Sequence, residues 1–131
     1  MIYLDTSFIV SLFINSEKHH KKVVNIWERN INQEKIISNI ILSETITMLK
    51  IKLKGNTKAI IEIFESIIDT CKIIYENKDL TYKSFQIFVK YDSKLSLADA
   101  LNVAIMKKYK IIKIASLDKD FDKVNSIIRI S

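Results

Sequence analysis

Three carboxylates stand where the surrounding pattern is apolar. Asp5 closes the run Met1-Ile2-Tyr3-Leu4 and is followed by Thr6 and Ser7. Glu44 shares a helical line with Ile37, Ile41, Met48 and Ile51. Asp99 lies inside Leu95-Ser96-Leu97-Ala98-Asp99-Ala100-Leu101-Asn102-Val103-Ala104-Ile105-Met106, which is apolar almost all round. A carboxylate in such company costs free energy unless it is paired or binds a cation. Asp118 makes a fourth. It follows the apolar run Ile111–Ala115 in Ser116-Leu117-Asp118-Lys119-Asp120-Phe121-Asp122.

Each position also has a plainer reading. Asp5 can be the N-cap of a helix. Glu44 can sit at the margin between its own line and a second one, Leu42, Ile46, Leu49 and Leu53, with its head in water. Ser96-x-x-Asp99 resembles a capping box, which is compatible with a carboxylate presented to a ligand. Asp120 and Asp122 read as loop residues.

If Asp5, Glu44, Asp99 and Asp118 converge, they repel. Two charges ~5 Å apart at an effective dielectric of ~20 cost about 3 kcal/mol. Such a cluster needs protons or a cation, and oxygen-only ligation selects Mg²⁺ or Mn²⁺. Those ions polarise phosphoryl oxygens and activate water for in-line attack. Other chemistries fare worse. Gly55 is the only glycine, which excludes a P-loop, GxGxxG and GxSxG. His19 and His20 are adjacent, so on a helix they diverge and cannot share a metal. Cys71 is the only cysteine, so no internal disulfide or zinc ribbon forms. It falls in an apolar run and reads as a buried, inert thiol.

The elements that must carry these residues alternate between short apolar runs and longer periodic ones, which argues for α/β with a mainly parallel sheet. Strands are predicted at Met1–Leu4, Lys35–Ser38, Cys71–Tyr75, Ile111–Ala115 and Ile127–Ile130. Helices are predicted over Phe8–Ile14, around His20–Ile31, over Ile40–Lys54 with Gly55 as the stop, from Thr57 as cap, and over Ser96–Tyr109. In the fourth helix Ile60, Ile63, Phe64, Ile67 and Ile68 are expected to face inward. Leu80–Tyr91 fits both periods, and its length favours a helix.

The 131 residues fit one domain, 1–131. Ordinary globular composition, 48% hydrophobic and 27% charged, excludes disorder. Net charge is +6, and Arg29 and Arg129 are the only arginines. A basic surface favours polyanions, although a merely solvated lysine surface reads the same. The apolar run Ser7–Ile14 is too short to span a bilayer and lacks a basic leader, so a soluble, cytoplasmic protein is expected.

Taken together, Ile2-Tyr3-Leu4-Asp5-Thr6-Ser7, Ser43-Glu44, Leu95-Ser96-Leu97-Ala98-Asp99-Ala100 and Ala115-Ser116-Leu117-Asp118-Lys119-Asp120-Phe121 resemble the PIN domain, and within it the VapC-type toxin nucleases. The resemblance covers essentially the whole chain. It implies a three-layer α/β/α fold with a five-stranded parallel sheet ordered 3-2-1-4-5. It maps the family's acidic quartet onto Asp5, Glu44, Asp99 and Asp118, holding one or two Mg²⁺ or Mn²⁺ ions. Thr6 or Ser7 and Ser116 match supporting polar positions, and Asp120 can substitute for Asp118. The activity implied is metal-dependent endoribonuclease, often a homodimer inhibited by an antitoxin. Lysine replaces the arginine common in such toxins, which weakens specific reading of RNA.

The expected function is therefore RNA phosphodiester hydrolysis by the toxin of a type II toxin–antitoxin pair. The alternative is a PIN-like domain that binds nucleic acid or a partner without turnover. A receiver, which presents paired acids after its first strand and a Lys after its last, is disfavoured, and so is a haloacid-type phosphatase, because Ser7 occupies the second position of the required Asp-x-Asp.

Overall fold

The structure is a computed structural model describing residues 1–131. Five strands alternate with six helices. They are β1 (Ile2–Leu4), α1 (Thr6–Phe13), α2 (His20–Arg29), β2 (Lys35–Ser38), α3 (Asn39–Lys52), α4 (Thr57–Thr70), β3 (Cys71–Ile74), α5 (Lys78–Lys90), α6 (Leu97–Lys108), β4 (Lys113–Ala115) and β5 (Ile128–Ile130). A short 3-10 helix, Lys119–Lys123, lies between β4 and β5. The sheet is parallel throughout and ordered β3-β2-β1-β4-β5, as the resemblance implied.

That order follows from how the chain buries its apolar runs. β1 sits at the centre with every residue buried. Successive side chains of a strand point to opposite faces. Leu4 packs with Ile9, Trp27 and Ile67, which belong to α1, α2 and α4. Tyr3 points the other way, and its hydroxyl donates to Asn102 Oδ1 of α6 at 2.6 Å. Two helical layers therefore sandwich the sheet, and right-handed crossovers produce this arrangement when the strand order reverses between β3 and β4. The core cluster contains 27 buried residues and spans both faces. No helix is long and apolar enough to cross a membrane.

With one glycine available, the chain ends its helices on other residues. Lys54, Asp92 and Lys110 adopt left-handed backbone, φ 52°, 53° and 57°, one residue beyond the C-caps of α3, α5 and α6. Each is followed by the long bond of a Schellman motif: Gly55 N–H to Lys50 O, Ser93 N–H to Phe88 O and Ile111 N–H to Met106 O. Gly55, expected as the stop itself, is the second left-handed residue, φ 74°, after Lys54. The cap of α4 is Asn56, whose side chain accepts from Ala59 N–H, rather than Thr57. The Schellman turn at Ile111 also shortens β4, which begins at Lys113.

The apolar face of α4 expected to be buried is largely not, and α5 carries an outward apolar line of its own. In α4 only Ile67 is fully buried, while Phe64 and Ile68 are about 40% exposed. In α5 the line Tyr82, Phe85 and Val89 faces outward, and Leu80, Ser84 and Ile87 face inward. Periodicity identified both helices. It did not rank their two apolar lines, because nothing local says which one meets the sheet.

Candidate functional site

The central strands end at the same level, and this places the first two acidic residues. Asp5 N–H bonds to Ala115 O at 3.0 Å, so the chain leaves β1 beside the end of β4. Asp5 occupies the N-cap position of α1, yet its side chain makes no capping bond. The carboxylate instead accepts from Ser116 Oγ at 2.7 Å and Ser7 Oγ at 3.3 Å, both on Oδ2. The plain capping reading of Asp5 is thereby corrected. Ser116 is fully buried and also accepts Asp118 N–H at 3.0 Å, while Ser7 Oγ accepts Leu117 N–H at 3.1 Å. Thr6 differs from Ser7: its hydroxyl is buried without a partner.

Asp99 is the third residue of α6. Ser96 Oγ accepts Asp99 N–H at 3.0 Å, which is the first half of the capping box. No bond returns from the Asp99 carboxylate to Ser96 N–H, so its oxygens face the crevice. Asn102, the other polar interruption of α6, is structural, since it is buried and bound to Tyr3.

The oxygens of Asp99, Asp118 and Asp120 lie within 4.8 Å of one another. Asp118 caps the short helix by accepting Asp120 N–H on Oδ1 at 2.9 Å. This tight turn brings both residues to the cluster, so Asp120 joins Asp118 rather than competing with it. Asp120 also accepts Lys123 Nζ at 2.9 Å. Glu44 departs from the expected picture. It is exposed, and so are Met48 and Ile51 of its presumed apolar line. The buried line of α3 is Ile41, Thr45 and Leu49, one residue per turn in register with Ser38 at the N-cap. Glu44 nonetheless stands near the other carboxylates, since the charge of Asp5 raises it and its own charge raises Asp99.

The electrostatics report this convergence. Burial is the main cause raising Asp99, and the charges of Asp5, Asp118 and Glu44 add to it, pushing its pKa up to about 7. Asp5 is raised by burial, partly offset by the hydroxyls of Ser116 and Ser7. Glu44 is raised by burial and by Asp5. Burial also pushes the Cys71 thiol up to about 11, in keeping with an inert thiol.

A cleft of about 370 Å³ is lined by Thr6, Ser7 and Leu117, next to Asp5 and Asp118 in the chain, and by Glu17, Lys18, His19 and Lys52. One feature had no signal in the sequence beyond the scarcity of arginine. Arg129 grips Asp122 with two donors and Ser116 O with a third.

The arrangement can hold a hard cation and present it to an anionic oxygen at a sheet switch point, where α/β proteins bind ligands. Known proteins are similar to this chain. "Ribonuclease VapC6" of Methanocaldococcus jannaschii is 29% identical, the match covering 96% of this chain and 94% of that one. The crystal structure of Mycobacterium tuberculosis VapC20, described as a sarcin-ricin loop cleaving toxin, superposes with a TM-score of 0.83 at 23% identity, over 95% of each chain. VapBC2 of Rickettsia felis, solved with a fragment of promoter DNA, gives a TM-score of 0.75 at 18% identity, over 99% of this chain and 98% of that one. At these identities the two structures establish the shared fold. The family model of the PIN domain matches residues 2–127, a span that contains every acidic residue of the crevice, and this chain belongs to the PIN domain family.

Proposed function

We propose that this chain is a metal-dependent endoribonuclease, a single PIN-like domain over 1–131 that acts in the cytoplasm as the toxin of a type II toxin–antitoxin pair. The observation that carries the reading is the cluster of Asp99, Asp118 and Asp120, with Asp5 and Glu44 near enough for their charges to raise Asp99, in a protein with net charge +6. The similarity to a relative named as a ribonuclease supports the reaction class.

The donor set fits Mg²⁺ or Mn²⁺. It offers carboxylate and hydroxyl oxygens with no sulfur or imidazole, and burial together with the charges of its neighbours lifts Asp99 to about 7. Asp5, Glu44, Asp99 and Asp118 would hold the ion directly or through water, with Asp120 beside them. Once bound, such an ion supplies polarisation of a phosphoryl oxygen and a lowered pKa for water. The chain's own groups do the rest. Ser116 and Ser7 fix the orientation of Asp5, and the Ser96 cap fixes the start of α6 and so the direction of Asp99. Lys18, which lines the adjoining cleft, would hold phosphates of the RNA strand, whereas Lys52 there is already paired with Glu17 at 3.1 Å.

Partners belong to the same reading. Several of the similar structures are toxin–antitoxin complexes. A cognate antitoxin and a second copy of this chain would each need apolar surface. The outward line Tyr82, Phe85 and Val89 and the α4 side chains Ile61, Phe64 and Ile68 supply it.

The test is cleavage of a mixed total-RNA and tRNA pool by wild type and Asp99→Asn, each with Mg²⁺, with Mn²⁺ and with EDTA. Cleavage by wild type alone, and only with metal, is expected. Equal cleavage by both proteins sinks the site. Retained metal binding with no cleavage of any RNA selects the binding domain without turnover.

A further inference from the structure

Arg129 lies on the edge strand β5, paired in register with Ile114, and outside the acidic crevice. Each of its three guanidinium nitrogens donates one hydrogen bond. Nε donates to Asp122 Oδ1 at 2.9 Å, Nη2 to Asp122 Oδ2 at 3.1 Å and Nη1 to Ser116 O at 3.2 Å. The side chain is 13% exposed although Asp122 is 54% exposed. Two parallel bonds to one carboxylate define a planar fork, a geometry that a lysine cannot reproduce.

The third bond links the fork to the site. Ser116 is the hub of the loop after β4. Its N–H donates to Ile130 O, its carbonyl accepts from Arg129, its hydroxyl donates to Asp5 and it accepts Asp118 N–H. Asp122 lies at the far end of the segment that carries Asp118 and Asp120. Arg129 therefore ties both ends of that segment to β5. Phe121 and Val124 anchor the segment to the core, but Asp118, Asp120 and Asp122 lie on its polar side, where without the tie the mutual repulsion of the carboxylates would turn them outward.

We propose that Arg129 and Asp122 form a positioning brace that holds Ser116, Asp118 and Asp120 in register with Asp5 and Asp99. Arg129 is thus a positioning residue rather than a contact for RNA. Its charge is already matched by Asp122, which leaves little attraction for phosphate. The activity readouts rest on the nuclease reading, whereas the amide-exchange readout stands apart from it.

The experiment compares Arg129→Lys, Arg129→Met and Asp122→Asn with wild type. It reads amide exchange at Asp118 and Asp120, Mn²⁺ binding by calorimetry, and kcat and KM for RNA across salt concentrations. All three variants are expected to exchange both amides about tenfold faster, to bind Mn²⁺ about tenfold more weakly and to lose about tenfold in kcat, with KM unchanged. Arg129→Lys keeps the charge and must still fail. A raised KM with a shallower salt slope, unaltered amide exchange and full activity for Asp122→Asn would overturn the brace and make Arg129 an RNA contact. No change in any variant overturns it as well. If Arg129→Met does not fold, Asp122→Asn, a change at an exposed carboxylate, decides. A wild type that neither cleaves RNA nor binds Mn²⁺ sinks the nuclease reading, and amide exchange then judges the brace alone.

Discussion

Asp99→Asn should stabilise the metal-free protein, and the gain should depend on pH. Asp99 is raised from 3.8 to about 7, by burial first and then by Asp5, Asp118 and Glu44. A carboxyl raised on folding binds its proton more tightly in the folded than in the unfolded chain. Its favourable contribution is complete below pH ~4 and is lost as pH climbs through about 7. The rise from 3.8 to about 7 corresponds to ~4 kcal/mol. Asp99 is only partly buried and solvent screens its neighbours, so roughly half of that, ~2 kcal/mol, is expected in practice. Asn is neutral at every pH and keeps the backbone N–H that Ser96 caps. In EDTA at pH 8 the variant should melt about 7 °C above wild type, and the gap should close near pH 4. Adding Mn²⁺ should reverse the order, since a ligand at a hundredfold excess over its Kd adds ~2.7 kcal/mol to the protein that binds it. Thermal melts followed by circular dichroism between pH 4 and 8 measure all three effects. A difference that is flat across pH would refute the idea that these carboxylates share one repulsive field.

Further substitutions probe the supports of the site and fold. Ser116→Ala removes a donor to Asp5 and an acceptor for Asp118 N–H; urea unfolding should register a loss of ~1–3 kcal/mol, with weakened metal binding. Tyr3→Phe leaves Asn102 Oδ1 without its buried donor. It should cost ~1–2 kcal/mol in the same assay while RNA cleavage per folded molecule stays at the wild-type level. Lys110→Gly relieves left-handed strain at φ 57° in the turn after α6, so its melting temperature should rise, by about 0.5–1 kcal/mol of stability. A fall instead would mean that the Lys110 side chain holds the turn by contacts of its own.

What could be read from the amino acids alone was whatever local pattern encodes. The strands at Ile2–Leu4 and Lys35–Ser38 are short, wholly buried runs. The helix Leu97–Lys108 shows its start in Ser96-x-x-Asp99, because a cap is a contact over a few residues. Asp5, Asp99 and Asp118 stood out because a charge next to an apolar run is costly wherever the chain goes. The family resemblance, resting on four short pieces, supplied the strand order that local reasoning could not.

Tertiary structure decided what depends on distant partners. It turned the Asp5 carboxylate away from the helix it heads and onto Ser116, 111 residues on. It put Glu44 on an exposed side of α3 rather than in a buried line, since only packing selects which line of α3 meets its neighbours. It drew Asp120 in beside Asp118 through a single tight turn. It also coupled Asp122 to Arg129, seven residues apart across a loop, a pairing that no periodicity announces. Propensity, capping and hydrophobic alternation act over a few residues and are written in the local sequence. Charge clustering and the choice between two apolar faces are set by which elements become neighbours, and the fold alone determines that.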